Sequence, residues 1–164
     1  MLVLIATTCA LMELKSFVPR GSVLRVNMAL THYLLGLVIF ALAWPRLLIR
    51  LVGAVPPITP PPSAWQAALA KAVHLLLYAY MISLPVLGYL ALSAAGKPVH
   101  LFLFDLPFLI EPDKALAKQM KDLHETGATI AYFLIGVHAL AALYHHYKVH
   151  DDTLRRMLPG RFRA

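Results

Sequence analysis

The sequence predicts an all-α transmembrane four-helix bundle whose first helix is shortened at its N-terminal end. Three observations carry that prediction. Of the 164 residues, 60% are hydrophobic and only 14% charged, against the roughly 25% charge usual in soluble domains. The mean hydropathy is +0.69. Finally, the apolar residues are gathered into runs that match the roughly 20 helical residues needed to cross a bilayer.

The elements follow in chain order within a single domain, residues 1–164. The first run, Met1 to Leu14, is apolar but too short to span unaided. It has neither the basic start nor the small-residue cleavage site of a signal peptide, so it reads as the outer part of a spanning helix. Three further runs qualify as full spans, at about 27–51, 68–93 and 123–147. Between the second and third lies a proline run, Val55 to Pro62, which is expected to form an extended strap. Pro85 is expected to kink the third helix near its middle. The segment 101–110 is apolar but short and broken by Pro107, so it is expected to lie at the interface without crossing.

The net charge of +7 sits at the ends of the apolar runs, which excludes nucleic-acid binding in favour of membrane anchoring. One end of the predicted bundle holds Arg46, Arg50, Lys71, Lys148, Arg155, Arg156, Arg161 and Arg163. The other holds Lys15, Arg20, Arg25, Lys97, Lys114, Lys118 and Lys121. The counts nearly tie. The tail cluster, with Arg46 and Arg50 directly after a helix, favours a cytoplasmic C-terminus, and an even number of spans then puts both termini inside. The lone Cys9 excludes an internal disulfide, and the absence of a Cys-x-x-Cys-His stretch means that any haem is held through axial ligands alone.

Five of the eight histidines, His32, His74, His124, His138 and His145, lie in or at the edge of a span. Ionisable groups there are expensive and usually functional. From His124 to His138 the helix turns about 40° short of four whole turns and rises about 21 Å. The two rings therefore face nearly the same way at opposite depths. They cannot share one ion, yet each can ligate a different haem iron, as four-helix bundles commonly arrange between facing helices. His32 stands at the depth of His124. Gly36 and Gly127 share a helix face with His32 and His124, leaving room for a flat macrocycle, although glycines also serve close helix packing. For His138 the partner is either His74 or a residue of helix one.

Several stretches together resemble one family. These are His32-x-x-x-Gly36, the run from His74 to Tyr89 (HLLLYAYMISLPVLGY), the run from His124 to Tyr147 (HETGATIAYFLIGVHALAALYHHY), and the closing DDTLRRMLP. They are similar to bacterial dihaem cytochrome b561, in the branch typified by superoxide oxidase. The resemblance covers nearly the whole chain. It implies two haem b groups and a quinone site in a bacterial inner membrane, with a possible homodimer.

By that resemblance His32 and His124 ligate the periplasmic haem, and His138 ligates the cytoplasmic one. The latter's second ligand is implied to be the histidine of a His-Trp pair early in helix one, which aligns just ahead of Met1. Either a start codon read too late or a protein with one defective haem site is the expected reason, the former favoured because everything downstream matches. His145 is implied to line the quinone pocket. The strap's basic residue corresponds to Ser63 here, which leaves Lys71 or His74 for that role. The function implied is electron transfer from superoxide, or another small periplasmic donor, to ubiquinone within membrane lipid. Two alternatives stand beside it: a haem-b subunit serving a separate dehydrogenase, and a non-redox small membrane transporter.

Overall fold

The computed structural model describes residues 1–53, 57–101 and 104–155. Its helices are α1 (Leu2–Lys15), α2 (Val23–Val52), α3 (Ala64–Ala94) and α4 (Lys114–Tyr144), the last continued by a π-helical turn at His145–Val149. Three of them, counting α4 with its π turn, are long and apolar enough to cross a membrane. At 14 residues α1 is not. The division into three full spans and one short helix is the expected one.

Local chemistry sets the helix ends. The Ser22 hydroxyl accepts from the Arg25 amide at 3.3 Å and starts α2. The Arg25 guanidinium then donates to the Lys15 and Val18 carbonyls at 2.7 and 2.6 Å, fastening the turn that joins α1 to α2. At the start of α3, the Gln66 side-chain oxygen accepts from the Ser63 amide and hydroxyl at 3.0 and 2.8 Å. The Asp113 carboxylate caps α4 by accepting from the Ala115 and Leu116 amides. That cap starts α4 at Lys114, well before the apolar span begins near Leu123. The extra turns are water-exposed and carry the i,i+4 pairs Lys118–Asp122 and Lys121–Glu125. A hydropathy criterion does not see them. Pro45 and Pro85 lie inside α2 and α3, and neither ends its helix.

One small departure from all-α is found. Val99–Leu101 (β1) and Phe104–Leu106 (β2) form an antiparallel hairpin that pairs His100 with Asp105. The apolar segment predicted to stay at the interface thus folds back on itself and is tied to the end of α3. Ser93, almost wholly buried, accepts from the Leu109 and Ile110 amides at 2.7 and 3.1 Å. The Tyr89 hydroxyl donates to the Pro107 carbonyl. At the opposite end, the described part of the proline strap is joined to the C-terminal segment, Thr59 and Asp152 exchanging two hydrogen bonds of 3.0 and 3.1 Å. Val55 and Pro56 of the strap, and Arg156, Arg161 and Arg163 of the tail, lie outside the described residues.

Helix α1 packs on α2, α2 on α3, and α3 on α4. Few side chains are fully buried, and those in the spans are mostly small: Ala43, Ala131 and Ala142, with Ile39 and Thr8. Large apolar residues such as Leu48, Leu75, Phe133 and Leu140 point outward. A water-soluble fold would bury these; lipid makes them the natural exterior. The middle of the bundle is a cavity.

Candidate functional site

The cavity has a volume of about 990 Å³ and is lined from all four helices. Its walls are mainly apolar, and four histidines project into it: His32 from α2, His74 from α3, and His124 and His138 from α4. They form two pairs. The His32 and His124 rings stand 6.1 Å apart, centre to centre, with planes 81° apart. The His74 and His138 rings stand 5.3 Å apart at 71°. Because α4 carries one member of each pair, the pairs are separated along its axis by about 21 Å. The depth match predicted for His32 and His124 is present, and His138 faces His74 across the cavity.

Two histidines that share one metal at bond lengths of about 2.0–2.1 Å have ring centres about 6 Å apart. The His32–His124 spacing fits that requirement as it stands. Its hydrogen bonding fits as well. The Nδ1 of His32 lies 2.9 Å from the Thr8 carbonyl, and the Nδ1 of His124 lies 2.9 Å from the Leu84 carbonyl. A carbonyl only accepts, so each Nδ1 carries the hydrogen and each Nε2 keeps its lone pair for a metal. Among the described residues no cluster of three or more histidine, cysteine or carboxylate groups could hold a bare ion. Histidines in pairs suit haem, whose macrocycle supplies the four in-plane nitrogens and needs only axial ligands from protein.

Glycines shape the two walls differently. Gly36 lines the cavity, and a Cβ there meets nothing within 4 Å, so it leaves open room beside His32 as expected. Gly127 does not. A Cβ at Gly127 would lie 2.8 Å from Leu84 Cδ2, so this glycine lets α4 approach α3 and makes no space for a macrocycle. The glycine that does serve His124 is Gly88, which the sequence reading passed over. A Cβ there would come within 3.2 Å of the His124 Cε1 and Nδ1 atoms. Gly88 falls in the quoted α3 run, one turn beyond Leu84, whose carbonyl holds the same ring; only the tertiary contact reveals it.

The quinone candidates are dispersed. Of the three, His74 alone lines the histidine cavity. Lys71 is exposed and lies outside it. His145 is not on its wall either: the ring Nδ1 lies 2.6 Å from an Asp151 carboxylate oxygen. Its backbone keeps α-helical spacing from His138, the His145 amide still donating to the Ala141 carbonyl, but the ring turns to Asp151. That carboxylate is almost fully buried. Burial alone would raise its pKa, but hydrogen bonds from Thr153 and the contact with His145 outweigh burial and hold it below the ordinary aspartate range.

Two further basic residues, Arg46 and Arg50, line the cavity. Both belong to the last turns of α2, at the end where His74 and His138 meet. Beside the His32–His124 end, Arg25, Lys97 and Lys121 gather within electrostatic reach of Lys15.

A sequence model of prokaryotic cytochrome b561 matches residues 1–160. The chain is 40% identical over 160 residues to the cytochrome b561 homolog 1 of Escherichia coli K12, covering 98% of this chain and 91% of that protein. It is 37% identical over 158 residues to a probable superoxide oxidase CybB of Yersinia pestis, covering 96% and 89%. The cytochrome b561 homolog 2 of Escherichia coli K12 is 36% identical over 126 residues, covering 76% and 64%.

Proposed function

The chain belongs to the prokaryotic cytochrome b561 family, and from that premise we propose that it passes electrons from superoxide to ubiquinone through two haem b groups. Membership alone makes it a bacterial membrane protein of b-type haem electron transfer, and the transporter alternative falls with it. The observation that carries the site is the His32–His124 pair, at metal-sharing distance with both Nδ1 atoms tied to carbonyls. His32 and His124 would hold one haem iron through Nε2, and His138 would contribute to a second. The haem supplies one-electron chemistry when bound.

The protein's own groups account for the rest. With both His32 and His124 as its ligands a haem iron would have no place for a small substrate, so the donor would give up its electron from outside the ligand sphere. Lys15, Arg25, Lys97 and Lys121 outnumber the Glu125 carboxylate, which pairs with Lys121, and so make the His32 end attractive to an anion; superoxide is a small anion. Superoxide as donor is also in keeping with the Yersinia pestis relative, a probable superoxide oxidase. The His32 end then faces the periplasm and the His74 end the cytoplasm, with both termini inside. At this end His145, His74 and Lys71 are the groups that can donate to a quinone carbonyl. The net reaction takes two superoxide ions, one quinone and two protons to two dioxygen molecules and one quinol.

The test uses purified protein in vesicles that contain ubiquinone. Superoxide generated in the bulk is expected to reduce b-type α-bands and then accumulate quinol with no second protein present. If the haem is reduced only when a dehydrogenase is added, the chain is a haem subunit for that partner and the superoxide reading is lost.

A further inference from the structure

We infer that Asp151 is the positioning residue of a proton donor: it holds the His145 ring with Nε2 free to protonate a quinone oxygen, so that the protons of quinol enter beyond the C-terminal end of α4. The inference rests on the quinone reading above and adds to it the group that sets the donor. Two features of the structure lead to it, the way the ring is held and the place where it is held.

The His145 Nδ1 lies 2.6 Å from one Asp151 carboxylate oxygen, and the other oxygen accepts from the Thr153 amide at 2.9 Å. The Asp151 amide in turn donates to the His145 carbonyl at 3.2 Å. The chain doubles back this sharply because His150 adopts the left-handed conformation, φ 59°, which is uncommon outside glycine. The carboxylate stays ionised at neutral pH, being held below the ordinary aspartate range, so it only accepts. Nδ1 therefore carries the hydrogen, and Nε2 is the nitrogen that exchanges protons. That Nε2 makes no hydrogen bond to another described residue. The Asp151 side chain is 1% exposed, and a charge so far out of water calls for an opposite charge beside it. The ring supplies one whenever both of its nitrogens are protonated.

The pair stands at the boundary of two hollows. Leu143, two residues before His145, and Leu154, three beyond Asp151, line the apolar cavity. Asp151 itself lines a second hollow of about 440 Å³, with His146, Tyr147, His150, Asp152 and Arg155. Polar walls admit water to this hollow, whereas the cavity is greasy and suits a quinone ring. Tyr144 stands edge-on to the His145 ring at 6.0 Å, and Lys148 follows in the π turn. Arg46 and Arg50 of α2 and Lys71 and His74 of α3 are the charged and titratable groups that the other helices bring to this end. Asp151 and Asp152 are the only carboxylates here, and Asp152 is tied to the Thr59 amide at 3.0 Å. During reduction the ring carries a proton on each nitrogen. As electrons from superoxide reach the quinone, the Nε2–H bond breaks and an O–H bond forms. The ring returns to its neutral Nδ1–H form, and Nε2 takes the next proton from water in the hollow. Two such transfers with two electrons convert quinone to quinol. Asp151 remains ionised throughout, steadying the ring while it holds both protons.

The test follows quinol formation by the haem-loaded chain in vesicles containing ubiquinone, with superoxide generated in the bulk. His145→Gln is expected to slow quinol formation by about 100-fold, the lower end of what a general acid contributes. In Asp151→Asn the amide oxygen can still accept from Nδ1 but carries no charge. This variant is expected to be slower by about 10-fold or more at neutral pH, with the quinone KM unchanged. Its rate should recover as the pH falls, because acid then supplies the second ring proton. In both variants superoxide should reduce the b-type α-bands at the parent rate, which reports an intact bundle. Asp152→Ala loosens the segment from Thr59 without touching the pair, and is expected to leave the rate unchanged. If Asp151→Asn forms quinol at the parent rate while His145→Gln is slow, the ring works unaided and the inference is overturned, though the quinone reading survives. A raised KM with unchanged kcat in Asp151→Asn, or an equal slowing in Asp152→Ala, would also overturn it, since the segment then only shapes the site. If both His145→Gln and Asp151→Asn keep the parent rate, or the wild-type chain forms no quinol, the assignment of His145 to a quinone fails and this inference with it.

Discussion

The two histidine pairs are alike in separation and unlike in support. At the His32 end each ring is held by a backbone carbonyl, Thr8 for His32 and Leu84 for His124, and Gly88 is shaped to admit the second ring. At the His74 end the rings meet with no such anchors among the described residues, and positive charge from Arg46 and Arg50 stands near them. Carbonyl anchors fix the tautomer and ring orientation before any metal arrives, and such supports typically change metal affinity by about 10- to 100-fold. The His32 pair is therefore preorganised for a metal, whereas among the described residues no hydrogen bond fixes the rings of the His74 pair.

The largest effect that would break this comparison is removal of an anchored ligand. His124→Ala is expected to abolish the haem at the His32 end and to leave the other in place, so haem per chain falls by half. A haem content equal to that of the parent would remove the site assignment. The same substitution should also stop reduction of the remaining haem by superoxide, since the entry point is gone.

A smaller effect separates support from ligation. Gly88→Ala adds a methyl group within 3.2 Å of the His124 ring, while both ligands stay in place. The ring must shift by a few tenths of an ångström and strain its bond to the Leu84 carbonyl. Overpacking of this kind typically costs about 1–3 kcal/mol. The expected result is weaker haem retention at the His32 end alone, read by the rate of haem loss to an excess of an acceptor globin. Gly127→Ala is the control. Its new methyl meets the tip of the Leu84 side chain, which can turn away, so a small fall in thermal stability with unchanged haem retention is expected. Equal haem loss from both variants would mean that helix packing, and not the His124 ring, is what Gly88 serves.

These two glycines also show how far the sequence could be read. Hydropathy finds spans because lipid imposes a minimum apolar length, and three were placed to within a few residues at their apolar ends. Helical spacing finds His124 and His138 because both sit on one continuous helix. It cannot say which neighbour a face meets. Gly127 lies three residues from His124, about 60° around the helix, and that rotation is enough to turn it from the cavity onto Leu84. Gly88, Arg46 and Arg50 acquire their roles only when α2, α3 and α4 are brought together. The contact of His145 with Asp151 is likewise invisible to helical spacing, because Asp151 lies beyond the π turn that ends α4.

The smallest expected effect lies beyond the helices, where Asp151 joins His145 to the segment that follows. Its carboxylate is held below the ordinary aspartate range in the folded protein, so the folded state binds fewer protons than the unfolded one in acid. A depressed carboxylate stabilises the fold above its unfolded pKa of about 3.9, and that contribution is lost as the pH falls from there through the folded value. Amide hydrogen exchange over residues 145–155 should accordingly quicken in acid, by an amount set by charge-assisted hydrogen bonds of about 1.5–3 kcal/mol. Asp151→Asn should exchange faster at neutral pH and lose that acid dependence, with both haem sites unaffected because neither includes Asp151. A variant that kept the wild-type acid profile would show that another group controls this end. A variant that lost haem from the His74 site would tie the two together, and the looser pair would then owe part of its geometry to the turn beyond it.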